Sequence, residues 1–170
     1  MRLFDWIGIL LLKCCWRKIF AAPLVGRGKE SLLCVEGSNV VYREGGGLSW
    51  GVGTTPITYD PPITDASELQ VELQEEAEGP GLVPCYQQVE PARQLTNLTD
   101  IPVLFLNGEG GYHRIFDHCL ANWLNQAGVE TEYVRMEDVG LAGNGHMMML
   151  ELNSKEIAEY VHSWLEKNIL

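Results

Sequence analysis

The chain has 170 residues, of which 46% are hydrophobic, and a formal net charge of −11 at pH 7. This length suits one modest domain, and the acidic excess gives no electrostatic support for nucleic-acid binding. The five cysteines are an odd number and include no C-x-x-C pair. We therefore expect neither a zinc site nor a disulfide framework, and reduced thiols in a cytoplasmic protein are the simplest interpretation.

Residues 1–28 form an apolar segment interrupted by basic side chains at Lys13, Arg17 and Lys18. Its uncharged run is far shorter than the roughly 20 residues that span a bilayer. The basic residues follow the apolar run, whereas in a signal peptide they precede it. We expect a helix packed on the rest of the chain, or a segment from an altered gene boundary. Contact with a membrane surface is the weaker alternative.

The first part of the remaining chain, residues 29–170, combines one buried strand with a long irregular stretch. A continuous apolar run over 31–35 predicts a parallel strand that ends at Glu36. Glycine and proline are then frequent, so residues 45–100 are predicted to form a long loop or lid-like insertion. Within this insertion, residues 68–78 are predicted to form a short acidic helix.

The second half shows a regular alternation of elements. Residues 101–108 form a predicted buried strand, 112–127 a helix with apolar residues at three- and four-residue spacing, and 129–136 another strand. The last helix is predicted to begin near Asn153, at a capping pattern. Strand, helix, strand and helix at this spacing indicate right-handed parallel crossovers, so the predicted fold class is α/β.

His146 is the foremost candidate for chemistry. It lies in the glycine-rich loop between the last predicted strand and helix, where Gly143 and Gly145 allow a tight turn and leave the imidazole accessible. The near-neutral pKa of a free imidazole suits a general base. The alternative is a structural histidine bonded to the backbone.

The loop around His146 also carries a family resemblance. The run Gly-Asn-Gly-His-Met-Met-Met-Leu-Glu resembles the histidine loop of fungal and bacterial esterases of the α/β-hydrolase superfamily. The resemblance extends over roughly residues 29–170 and includes these segments: Tyr59-Asp-Pro-Pro, Glu90-Pro-Ala-Arg-Gln-Leu, Ile101-Pro-Val-Leu-Phe-Leu, Tyr112-His113 and Phe116-Asp117-His118-Cys119. It implies a serine–histidine–acid hydrolase fold in which His146 is the base, of which this chain resembles the C-terminal part.

The resemblance also suggests the acid. In the common plan of that superfamily the carboxylate comes three residues after the glycine that ends the penultimate strand. Here that glycine is Gly108, and the third residue is Gly111, which has no side chain. Glu109 is adjacent, but its spacing is wrong. A related subgroup places a glutamate directly after the preceding strand, and Glu36 matches that position, where it would orient the imidazole. The alternative for Glu36 is a solvated loop carboxylate.

The chain differs from this family in its nucleophile. A G-x-S-x-G elbow should lie between a strand and a helix upstream of Glu36, but residues 20–29 contain no serine. Gly47-Leu48-Ser49-Trp50-Gly51 matches the letters of the motif, yet no apolar strand leads into it and no helix follows. We interpret Ser49 as a coincidence of a glycine-rich loop.

Five further residues are candidates for a substrate pocket: Tyr112, His113, Met147, Trp50 and Tyr59. Tyr112 and His113 follow the penultimate strand, where the carboxyl ends of a parallel sheet usually bind ligands. Met147 could equally fill gaps in the core. His113 and His118 are five residues apart and lack a third ligand, so we predict no metal site, and no cofactor.

Two hypotheses follow. The first is a serine esterase that hydrolyses a small-molecule ester through an acyl-enzyme, with secondary metabolism as a setting by analogy. The missing elbow and N-terminal strands lead us to expect that the isolated chain is inactive. The second is a non-catalytic truncated remnant, a pseudoenzyme or a binding module. The sequence leaves the oligomeric state open.

Overall fold

The computed structural model of the protein describes residues 31–36, 42–43, 47–48 and 58–168. The predicted N-terminal segment, residues 1–28, lies outside the described residues. In chain order, the strands and α-helices are β1 (Leu32–Val35), β2 (Tyr42–Arg43), β3 (Gly47–Leu48), β4 (Val71–Leu73), β5 (Tyr86–Gln88), β6 (Val103–Asn107), α1 (Asp117–Gln126), β7 (Thr131–Arg135) and α2 (Ser154–Asn168).

The centre of the fold is a parallel sheet with strand order β1–β6–β7. Every residue of β6 is buried, as the apolar run in the sequence predicts. Successive side chains of a strand point to opposite faces. Accordingly, Val103 and Phe105 pack in one cluster with Trp123 of α1, whereas Leu104 and Leu106 pack in another with side chains of α2. The two helices therefore cover opposite faces of the sheet, and the predicted α/β fold class is confirmed.

The insertion between β1 and β6 differs from the prediction in one element. The short helix predicted over 68–78 is wrong. Residues Ala66–Glu68 form a single 3₁₀ turn, and β4 then pairs antiparallel with β5. The alternation of Val71, Glu72 and Leu73 suits a strand, and its partner lies too far along the chain for a local pattern to reveal it. The predicted helix over 112–127 likewise divides into a 3₁₀ turn, Tyr112–Ile115, and α1.

A disulfide corrects the cysteine prediction. Cys85, next to β5, and Cys119, in α1, are bonded, and both are buried. Their Cα atoms lie 5.1 Å apart although 34 positions separate them in the sequence. The expectation of reduced thiols is therefore wrong for these two residues. The odd number of cysteines gave no indication of this pair, because the two sulfurs come together only when the insertion folds back onto α1.

The described part of the chain offers nothing suited to crossing a bilayer: none of its helices is both long and apolar enough.

Candidate active site

Glu36 stands directly after β1 with an unusual backbone. Its φ is +48°, in the left-handed region that residues other than glycine rarely occupy. Its N–H donates to the carbonyl of Leu106 on β6 at 2.9 Å, so the turn is attached to the central strand. Such a conformation costs on the order of 1 to 3 kcal/mol and is typical of functional positions. The turn directs the side chain of Glu36 across the carboxyl end of the sheet.

The carboxyl group of Glu36 is fully buried and has two partners. Its Oε1 accepts a hydrogen bond from the N–H of Gly108, and its Oε2 lies 3.3 Å from Nδ1 of His146. Burial raises the pKa of Glu36, while the hydrogen bond from Gly108 and the nearby imidazoles of His146 and His113 act in the opposite direction. The structure thus brings together the predicted base and the predicted acid, 110 positions apart.

Gly111 leaves the space that the carboxyl group of Glu36 occupies. A Cβ atom built on Gly111 would fall on the carboxyl group of Glu36. The space that a side chain at position 111 would need is therefore occupied by a carboxylate from another strand. The absence of a side chain at Gly111 and the position of the Glu36 carboxyl group are therefore complementary in packing.

The loop that carries His146 is held by hydrogen bonds to the loop after β6. Gly143, at φ +83°, donates its N–H to Glu109 at 2.9 Å, and Gly110 donates to the carbonyl of Asn144 at 2.8 Å. A Cβ on Gly108 would meet that same carbonyl at 2.5 Å. Glu109, whose spacing does not fit an acid, instead binds the backbone of the histidine loop. These contacts define the position from which His146 reaches Glu36.

Two aromatic rings flank the imidazole of His146. The ring centroid of Tyr112 lies 4.8 Å away, and that of His113 lies 5.3 Å away with the two imidazole planes within 22° of parallel. Tyr112 is largely exposed, His113 is buried, and the side chain of His146 keeps a relative exposure of 20%. The imidazole of His146 therefore remains partly accessible while its Nδ1 faces a buried carboxylate.

Beneath His113 lies a polar group that the sequence reasoning did not identify. Asp117 Oδ1 is 3.5 Å from Nδ1 of His113, and Asp117 Oδ2 accepts a hydrogen bond from Asn107 Nδ2 at 2.8 Å. Asp117 and Asn107 are both buried. The i, i+4 spacing of His113 and Asp117 next to a predicted helix start was the signal that could have indicated the pair.

The remaining candidates for the substrate pocket do not all lie beside His146. Met147 is half-buried next to His146, and its neighbour Met148 is buried in the core cluster on the α2 side. The ring of Tyr59 is buried in the core cluster on the α1 side, and its hydroxyl accepts a hydrogen bond from Trp123 Nε1 at 3.1 Å. That placement favours a packing role for Tyr59. Ser49 and Trp50 lie outside the described residues.

One cluster has residue types that bind metals. The ligand atoms of Cys85, His118 and Cys119 lie within 4.8 Å of one another. Both sulfurs belong to the disulfide, however, and His118 Nε2 faces the carbonyl of Val83 at 3.2 Å. A metal ion binds thiolates rather than disulfide sulfurs, so in this oxidised form the cluster is a covalent crosslink.

Comparisons with known proteins give one match of significance. The chain is 37% identical over 119 residues to a probable secreted lipase, phiG, of Fungal sp. (strain ATCC 74256). The aligned region covers 69% of this chain and 32% of the lipase, so the match spans about a third of that protein's length. No family model and no solved structure matches the chain. The similarity is consistent with a lipase- or esterase-like hydrolase.

Proposed function

We propose that this chain is the part of an α/β-hydrolase-type lipase or esterase that supplies the general base, His146, and its orienting acid, Glu36. The observation that carries the proposal is the contact between a buried carboxylate and Nδ1 of a partly exposed imidazole, with Gly111 leaving room for it. The similarity to a probable secreted lipase supports the same reaction class.

The geometry suggests how the pair would act. With Nδ1 facing Glu36, His146 holds its Nδ1 proton toward the carboxylate, which leaves Nε2 as the acceptor. Nε2 would remove the proton of a serine hydroxyl as its oxygen attacks the ester carbonyl, and would then return that proton to the leaving alcohol. Water would repeat the sequence to release the acid from the acyl-enzyme. The buried carboxylate stabilises the imidazolium that forms between these transfers.

The substrate in this proposal is a small-molecule ester. Tyr112, His113 and Met147 lie next to His146 and would line the mouth of its site. The two other pocket residues inferred from the sequence, Tyr59 and Trp50, stay predictions. The disulfide between Cys85 and Cys119, together with the secreted relative, supports folding in an oxidising compartment.

The nucleophile is the element that the experiment must identify. A fluorophosphonate probe, which bonds covalently to activated serines, is applied to two forms of the protein: the 170-residue chain, and the chain extended by the reading frame that precedes Met1 in the gene. Mass spectrometry of the labelled peptide locates the serine. We expect no labelling at Ser49. Labelling at Ser49 would show that our interpretation of that motif is wrong.

Hydrolysis of p-nitrophenyl acetate and butyrate tests the base and the acid in whichever form reacts with the probe. We expect His146→Ala to abolish turnover and Glu36→Gln to reduce kcat by roughly 10⁴, the scale on which triad acids act. His162→Ala is the matched control, because His162 is an exposed histidine on α2 paired only with Glu166 among the described residues. Activity that survives His146→Ala would overturn the assignment. Absence of labelling and turnover in both forms would favour the non-catalytic alternative.

A further inference from the structure

The site contains a second imidazole–carboxylate pair beside the proposed one. Nδ1 of His113 faces Asp117, as Nδ1 of His146 faces Glu36, at 3.5 Å and 3.3 Å respectively. The two imidazole planes are within 22° of parallel, with 5.3 Å between their centroids. Two carboxylates therefore flank two adjacent imidazoles at the carboxyl end of β6.

Structural stability alone does not explain this second pair. Asp117, Asn107 and His113 are all more than nine-tenths buried, and Asn107 Oδ1 and both ring nitrogens of His113 have no hydrogen-bond partner within the described part of the chain, since Asp117 approaches Nδ1 only to an ion-pair distance of 3.5 Å. Each such unpartnered polar atom costs about 1 to 3 kcal/mol. Apolar side chains of similar volume would usually stabilise a buried site at least as well. A role in the site is the better physical reason for polar residues at these three positions.

The polar residues next to His113 belong to regular elements of the fold. Asn107 ends the central strand β6 and Asp117 begins α1, both parts of the packed core. His146, in contrast, lies in the loop between β7 and α2, outside the strands and α-helices. The ring of His113 is in addition close enough to act on the charge of Glu36, because a positive charge on it favours the ionised carboxylate.

We infer that His113, whose Nδ1 faces Asp117, is a positioning residue: its buried ring is the surface against which the imidazole of His146 stacks. The catalytic meaning of this role depends on the proposed function, but the physical interaction does not. Among the described residues, the charged groups around Glu36 are His146 and His113. Those around His113 are Asp117, His146 and Glu36, with the ring of Tyr112 in contact.

The test is an NMR titration of the full 170-residue chain, which needs no nucleophile. The side-chain Cδ signal of Glu36 is assigned by its loss in Glu36→Gln and followed with pH in wild type, His113→Phe and His113→Gln. Both substitutions remove the charge, and the phenylalanine keeps a ring. Removing a positive charge that favours the ionised carboxylate should raise the titration midpoint of Glu36 by about half a pH unit or more. His162→Phe is the control and should leave the midpoint unchanged.

The positioning itself is read from the imidazole signals of His146. We expect Asp117→Asn, which keeps the shape of the side chain and the bond from Asn107, to shift those signals, because His113 loses its carboxylate. Folded variants in which the midpoint of Glu36 and the signals of His146 both stay at their wild-type values would overturn the inference. If the variants do not fold, the wild type decides: absence of nuclear Overhauser contacts between the ring protons of His113 and His146 overturns the inference.

The two proposals fail separately. Absence of ester hydrolysis in every form of the protein would defeat the proposed function while leaving the Glu36 shift intact. Hydrolysis with an unchanged Glu36 midpoint and unchanged His146 signals in the variants would defeat the positioning role alone.

Discussion

The parallel sheet and the insertion over residues 58–100 depend on hydrophobic burial to different degrees. The strand β6 is buried along its whole length, and hydrophobic burial on both faces stabilises it. Most of the insertion is exposed. Tyr59, Leu69 and Leu95 are its buried side chains in the core cluster beside α1. It is further attached to α1 by reciprocal hydrogen bonds between Gln88 and Gln126 and by the disulfide between Cys85 and Cys119. Apolar periodicity therefore predicts the sheet, whereas specific long-range contacts determine where the insertion lies.

The largest effect is expected at the centre of the sheet. Phe105→Ala removes a fully buried ring from β6 and should lower the free energy of unfolding by about 3 to 5 kcal/mol. Urea denaturation followed by tryptophan fluorescence measures the change. Val139→Ala, at an exposed site, is the control and should stay within about 0.5 kcal/mol. A small effect at Phe105 would mean that this face of the sheet is poorly packed.

The second-largest loss of stability is expected in the insertion, when its disulfide is removed. Cys85→Ser together with Cys119→Ser opens a loop of 34 residues, and loop-closure entropy gives a loss of about 3 to 4 kcal/mol. Limited proteolysis should then cut within 58–100 before it cuts the sheet. Cys34→Ser, which leaves the disulfide intact, should leave the cleavage pattern unchanged. Equal cleavage of both regions in the double variant would remove the distinction drawn between them.

A smaller loss of stability is expected from a substitution at Gly111, at the carboxyl end of the sheet. Gly111→Ala places a methyl group against the carboxyl group of Glu36, and such overpacking usually costs about 1 to 3 kcal/mol. Thermal unfolding measures the loss, and the imidazole signals of His146 should shift as Glu36 is displaced. Gly110→Ala is the matched control, since its Cβ would meet its nearest neighbour at an ordinary 3.5 Å. Identical behaviour of the two variants would contradict the fit between Glu36 and Gly111.

The smallest effect concerns pH. Burial raises the pKa of Glu36 in the folded chain above its ordinary value of 4.5, so ionisation opposes folding. Below about pH 4.5 the folded and unfolded states both hold the proton, and this cost is absent. As the pH rises through the raised folded pKa, wild type loses stability relative to Glu36→Gln. We expect the variant to be the more stable at pH 7 and the difference to vanish at pH 4. A difference of opposite sign at pH 7 would contradict burial as the dominant cause.

Parts of the site were predictable and others were not. Glu36 and His146 could be paired from a resemblance and from the absence of a side chain at Gly111. The pairing of Asp117 with His113 followed a local spacing that is common on helices and therefore uninformative by itself. The crosslink between Cys85 and Cys119 had no local signal, because the chain between them must first form β5 and return to α1.

The sequence by itself determined the α/β class, the positions of β1, β6 and β7, and the glycine-rich loop that carries His146. These features follow from burial on both faces of a strand, from helical periodicity and from the backbone freedom of glycine, all of which are local in the chain. The tertiary structure alone decided which side chains meet at the carboxyl end of the sheet. Glu36, Gly111 and His146 are neighbours there because parallel crossovers bring the ends of separate strands to one edge.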